Sequence, residues 1–443
     1  MDKSFLLLFF KKEAFPPLPP CTPPQFQPIT LLHPSEPRRV IPWLDRTALA
    51  FTFALPAFIM HGRGIAEGLI AAIDLLFLLR CIKTTAWSWL RTPWFRIAAA
   101  WWLWLIFCST PGIGIGGIGS LVQAIVTVRF LIFIAALEHA ILAPAAARFW
   151  LQRVLAAAAI YIAAQSWLQF AIGRNIQGFP RSGDGELTGP FLQPRAAAPL
   201  SRLLFPALLP AIDHLLTRNR LAAVALAIAG VGTVVLIGQR MPLLLTLLGL
   251  VTTALMLPSL RRIMVIALAA GAILLAATPI ISPPTFYRLV EKFAAQMAHF
   301  PASDYGLLAA RAATITYDHP LFGQGFDGFR NACPDPQYHR DGGGPGICNI
   351  HPHNHYLEAA TNAGLPGLVL FSAMIVAWLI ALSRNLGPRP DPLRVGLFVA
   401  ALIQEWPLAS ASGFAAVEIA GLFFLQLGLG LALARAATSE TPL

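Results

Sequence analysis

Charge is scarce in this 443-residue sequence. It has 32 basic and 21 acidic residues, 12% of the chain, against 56% hydrophobic. An ordinary soluble domain carries roughly 25% charged residues. So few charges cannot cover a water-facing surface, which excludes a soluble enzyme and a disordered chain. What remains is a polytopic membrane protein, in keeping with a mean hydropathy of +0.65. A dense basic patch is also lacking, so the net charge of +11 does not indicate nucleic acid. The basic residues lie in twos and threes between apolar runs, as membrane topology requires. Five cysteines are too few for a disulfide scaffold. Cys21, Cys81 and Cys108 lie far apart, whereas Cys333 and Cys348 share one polar loop. A signal peptide is not evident, because the apolar stretch Leu6 to Phe10 is short and Lys11 and Lys12 follow it. Residues 1–42 hold ten prolines and read as a disordered cytoplasmic tail.

What is present is a series of apolar segments. A membrane helix needs roughly 20 mostly apolar residues. Twelve candidates fall near 43–61, 65–82, 97–111, 113–136, 154–172, 200–217, 221–238, 241–257, 263–281, 356–382, 395–412 and 414–435. The expected fold is therefore all-α: about twelve transmembrane helices with one large, partly helical loop. Residues 43–281 carry helices one to nine and 356–435 carry helices ten to twelve. A short tail, 436–443, follows. With the N-terminus cytoplasmic, twenty Lys and Arg fall on the cytoplasmic side and eleven on the other, with Arg129 inside a helix. Both termini then face the cytoplasm. Two long loops, about 173–199 and 282–355, face outward, and such loops usually carry function.

The 74-residue loop 282–355 holds six of the ten histidines. Phe286, Leu289, Val290, Phe293, Met297 and Phe300 recur at helical spacing and predict a helix lying in the membrane interface. A second helix is predicted from Ser303, as N-cap, to about Asp318, where His319-Pro320 ends it. Cys333 and Cys348 either stand free or close a loop of about 15 residues, worth about 3 kcal/mol. Inside the helices, Asp74 and Arg129 are costly unless paired, and a mutual pair is expected. Glu405 and Glu418 are equally notable, with no role assigned.

The densest polar cluster is His351-Pro352-His353-Asn354-His355-Tyr356. Alternate histidines would suit a metal if extended. However, no carboxylate or thiolate stands at ligand spacing, and Pro352 interrupts the run. The other readings are polar anchoring of a helix end and a general base held at the membrane surface.

His353-Asn354-His355-Tyr356-Leu357, followed by Gly364-Leu365-Pro366-Gly367-Leu368, resembles the signature of the O-antigen ligase and polymerase superfamily. Three further blocks agree in order. They are Leu187-Thr188-Gly189-Pro190-Phe191, Ile237-Gly238-Gln239-Arg240-Met241-Pro242, and His319-Pro320-Leu321-Phe322-Gly323-Gln324-Gly325 with Phe329. Arg240 and Arg311 stand where the family has functional arginines. Gln239 and Met241-Pro242 depart from the family's small-residue pattern.

The resemblance implies a multi-pass protein of the bacterial inner membrane with its active site facing the periplasm. It implies a polyprenyl-diphosphate glycan donor, an acceptor such as lipid A core or another lipid-linked glycan, and no metal or nucleotide cofactor. His353, Arg240 and Arg311 are the expected catalytic residues. Asn354, Arg195, Gly323 and Gly325 are expected to meet substrate. Arginine suits a diphosphate because its planar fork stays charged and grips two oxygens at once. The compact chain with its single large loop favours a ligase over a polymerase or a protein O-glycosylating enzyme. The rival from another class, a transporter or flippase, would need a polar midplane path. The charges here gather at one surface instead, and no convincing internal repeat is found.

Overall fold

The computed structural model describes residues 42–339, 345–349 and 351–440. The expected proline-rich tail up to residue 41 and the last three residues lie outside it, as does the Glu418 side chain. The helices are α1 (Pro42–His61), α2 (Arg63–Thr84), α3 (Pro93–Cys108), α4 (Gly117–Val126), α5 (Val128–Ala136), α6 (Ala145–Ile172), α7 (Ala197–Leu216), α8 (Arg220–Ile237), α9 (Arg240–Met256) and α10 (Arg261–Ile281). The large loop adds α11 (Pro283–Phe286), α12 (Lys292–Ala298), α13 (Asp304–Asp318) and α14 (Gly328–Ala332). The chain closes with α15 (His355–Ser383), α16 (Pro392–Gln404) and α17 (Val417–Glu440). Among the described residues, β pairing amounts to two isolated bridges.

Each apolar segment named above falls on a helix. Among the described residues, six spans are long and apolar enough to cross a membrane: Gly117–Ile141, Ala145–Ile172, Arg220–Ile237, Arg261–Ile281, His355–Ser383 and Ala420–Thr438. Three shorter apolar helices accompany them: α3, α9 and α16. The molecule is thus an all-helical membrane protein, and a count of twelve spans goes beyond these six.

Three local features depart from the sequence expectation. First, α16 stops at Gln404 instead of near 412. Trp406 precedes Pro407, and proline disfavours the helical conformation of the residue before it. The chain then runs without helix to Val417. Second, α15 is kinked at Ala363 and Gly364 (φ 66°, ψ −169°). Third, Arg129 makes its ion pair with Glu67 at 3.8 Å, and Asp74 lies only within its electrostatic reach. Asp74 is buried, and its carboxylate oxygens have no hydrogen-bond partner.

The α15 kink explains how two sequence blocks come together. It frees backbone groups, and buried backbone groups must be paired. The Thr361 and Asn362 carbonyls accept from Gln324 and Gly325 N–H, at 2.8 and 2.9 Å, and Leu365 N–H donates to the Pro320 carbonyl at 2.7 Å. Trp104 Nε1 of α3 takes the Ala363 carbonyl at 2.9 Å. The α3–α4 turn closes the third side. Ile115 N–H donates to the Gln324 carbonyl at 3.0 Å, and Ser109 Oγ accepts from Phe326 N–H at 2.9 Å. Three turns therefore interlock beneath the histidine segment.

Candidate functional site

Arg240 is the first residue of α9, where Gly238 in the left-handed region (φ 82°) ends α8. Gln239 fixes this corner to the first long loop. Its amide donates to the Pro194 carbonyl and accepts from Ala197 N–H. The Arg240 guanidinium is half-buried, and its Nη1 donates to Gln296 Oε1 on α12.

Around this arginine lies a charge cluster that the sequence did not reveal. Arg288, between α11 and α12, pairs with Asp184 and Glu186 of the first loop and donates to the Gly238 carbonyl at 3.4 Å. Lys292 also reaches Asp184, at 3.3 Å. Lys292, with Arg288, holds the Asp184 carboxyl below its usual range. Burial pushes Glu186 up, and the Arg288 charge draws it back. Without Arg288 and Lys292, these two acids would repel an anion at Arg240. Arg288 reads in sequence as one charged face of an interfacial helix, because its acidic partners lie about a hundred residues earlier.

The histidine segment is built differently. Asn354 is the N-cap of α15. Its side-chain oxygen accepts from Tyr356 and Leu357 N–H, both at 3.0 Å. Its amide donates to the Pro407 and Ala409 carbonyls at 2.7 and 3.2 Å. These four bonds make it a brace for backbone, where the sequence suggested a substrate contact. Ala411 N–H donates to the His353 carbonyl at 2.9 Å. His355 is buried, with Nδ1 on Glu405 Oε2 and Nε2 on the Ser412 carbonyl, both 2.9 Å. A carbonyl only accepts, so Nε2 carries hydrogen, and one further proton sits between Nδ1 and Glu405. The non-helical segment after α16 is thereby fastened along the histidine run. Sequence reasoning missed this, having extended the helix through it.

His353 itself adopts a left-handed backbone (φ 56°) that few non-glycine residues take. Its ring stands 4.6 Å from that of His351, centroid to centroid. His351 Nδ1 accepts the His353 N–H at 3.2 Å. The Asn349 amide lies 3.3 Å from His353 Nε2. An amide N–H can only donate, so this nitrogen presents its lone pair. Burial lowers His353 from its ordinary value, and pushes His351 down to about 4. Both are neutral at pH 7. The three rings are thus used separately.

Tyr305, in the first turn of α13, connects the two regions. Its ring centroid is 5.7 Å from that of His353, edge to face. Its phenol is within electrostatic reach of Arg240. The first turn of α13 is as the sequence predicts, with Ser303 Oγ capping Gly306 N–H at 3.2 Å.

The other four expected site residues are Arg311, Gly323, Gly325 and Arg195. Arg311 is 1% exposed, and its Nη1 lies 3.1 Å from Cys348 Sγ. Cys333 and Cys348 form a disulfide. Arg311 therefore belongs to the loop's own core, beside Leu308, Ile315 and Phe329. Gly323 and Gly325, at positive φ, face backbone: a Cβ on Gly323 would lie 2.6 Å from the Thr361 carbonyl oxygen. Gly323 serves close approach to the α15 kink, and Gly325 to the turn after α3, where a Cβ would lie 3.1 Å from Ser109 Cα. Arg195 is exposed, next to the Pro194 carbonyl that Gln239 grips.

A bundle of apolar helices, six of its spans long enough to cross a bilayer among the described residues, defines a membrane protein, and Arg240, Arg288, Lys292 and His353 lie in or beside its long loops. Residues 211–372, a little over a third of the chain, match the model of the family described as O-antigen ligase, which supports a likeness to the O-antigen ligase-like superfamily. The family so described implies a membrane glycosyltransferase-like enzyme. The match includes Arg240, Arg311 and His353, and leaves out the first long loop. No curated protein matches the chain.

Proposed function

We propose that the protein moves a glycan from a polyprenyl-diphosphate carrier to an acceptor hydroxyl, lipid A core in the first instance, on the periplasmic face of the bacterial inner membrane. The observation that carries this reading is Tyr305, whose ring lies 5.7 Å from that of the neutral His353 and whose phenol is within electrostatic reach of Arg240. Arg240, held by Gln296, grips the diphosphate. The acceptor oxygen attacks the anomeric carbon as its proton passes to His353 Nε2. The bond from that carbon to the diphosphate oxygen breaks, and the diphosphate leaves with the electron pair. One displacement inverts the anomeric configuration. A fixed guanidinium stabilises the leaving charge more in a partly dry site than in water. Arg311 acts from within the loop core, by fixing α13.

Deleting the gene and resolving lipopolysaccharide on a gel tests this reading. Loss of all long glycan on the core indicates a ligase, and a core bearing a single repeat indicates a polymerase. Restoring the gene as Arg240→Ala or His353→Ala should give no glycan on the core, with transfer down about 100-fold or more and normal protein levels. Full activity in both variants would overturn the assignment.

A further inference from the structure

We propose that Tyr305 is the platform for the donor's first sugar, the pyranose bonded directly to the diphosphate. The inference rests on the functional reading above and adds a substrate contact to it. In a displacement at the anomeric carbon, the leaving oxygen and the attacking oxygen stand on opposite sides of that carbon. If Arg240 holds the leaving side and His353 the attacking side, the sugar ring lies between them. Tyr305 suits that place, with its ring 5.7 Å from the His353 ring and its phenol within electrostatic reach of Arg240.

The character of the side chain fits that place. Tyr305 is 42% exposed, a large ring open to a ligand amid charged groups. A pyranose has a C–H face and a hydroxyl rim. Tyrosine offers a rigid apolar face with a polar tip, at low conformational cost.

Its mounting is also rigid. Ser303 caps the helix directly beneath it. Gly306 brings that first turn so close to Phe300 that an added Cβ would lie 2.0 Å from the Phe300 carbonyl oxygen. Arg311 and the disulfide anchor the same helix further along. A platform that must hold a reacting carbon in line with two other groups needs this fixity.

The test uses the full chain in nanodiscs, with a synthetic polyprenyl-diphosphate sugar as donor. Tyr305→Ala should raise the donor KM about 10-fold or more. The acceptor KM and the acid limb of the pH profile should stay put, and Tyr305→Phe, which keeps the ring, should raise the donor KM less. Arg240→Ala and His353→Ala run alongside. If those two are dead and Tyr305→Ala leaves the donor KM unchanged, the platform is wrong and the site reading stands. A moved acid limb at unchanged donor KM overturns it too, since Tyr305 would then act only through His353. If Arg240→Ala and His353→Ala both keep full activity, the site reading itself fails. Should the alanine variant not fold, Tyr305→Leu is read by the same criterion.

Discussion

His353 combines a rare backbone conformation with a ring kept neutral by burial. The pH dependence of transfer should follow from that. A histidine held below its ordinary value of 6.5 is a competent base at pH 7 and is lost only as the pH falls beneath that range. The profile of kcat/KM should therefore be flat through neutrality and drop on the acid side. A limb centred above 6.5 would assign the titration to another group. His351, pushed down to about 4, should not contribute above pH 5. The histidine run was legible in the sequence as the densest polar cluster. The division of labour within it was not, because it depends on partners some 50 residues later in the chain: Pro407, Ala409, Ala411 and Ser412.

At the scale of elements, turns fix the site more than helices do. Gly364 shows why. At φ 66° and ψ −169° it occupies a region essentially reserved for glycine, worth about 1–3 kcal/mol of strain to any other residue. A Cβ there would also lie 2.5 Å from the Leu321 carbonyl oxygen. Gly364→Ala should lower the unfolding temperature in detergent by several degrees and unseat the 320–325 turn. An unchanged melting curve would show that the kink is dispensable. The helices were legible because apolar length and capping are local signals; Ser303 and the end of α13 at His319-Pro320 are where the sequence puts them. The glycine blocks were visible too, but only as separate blocks. Their interlock is a long-range fact, as is the clasp of Arg288 on Asp184 and Glu186.

For the molecule as a whole, the large loop has its own small core. Leu308, Ala312, Ile315, Phe329, Ala332 and Tyr338 pack around Cys333, and the disulfide closes it across 15 residues. A loop of that size is worth about 3 kcal/mol by restriction of the unfolded chain. Replacing both cysteines by serine should speed proteolysis between 333 and 348 and leave the helical bundle intact. Equal cleavage rates would show that the core holds without the bond. The spacing of the two cysteines left free thiols and a bridge equally open, since proximity in sequence does not set side-chain direction. The scarcity of charge was enough to read a membrane protein and to single out Arg240. It did not show that Arg311 turns inward.

The segment that clasps the histidines has a consequence for biosynthesis. Residues 407–412 leave the ribosome only after the histidine run has been made. Until α16 and α17 insert, a growing chain carries Arg240 and the histidine run without the segment that clasps the latter. The proposed transfer would therefore become possible only late, as the last two helices fold back. A stalled or clipped chain should lack the clasp on the histidine run.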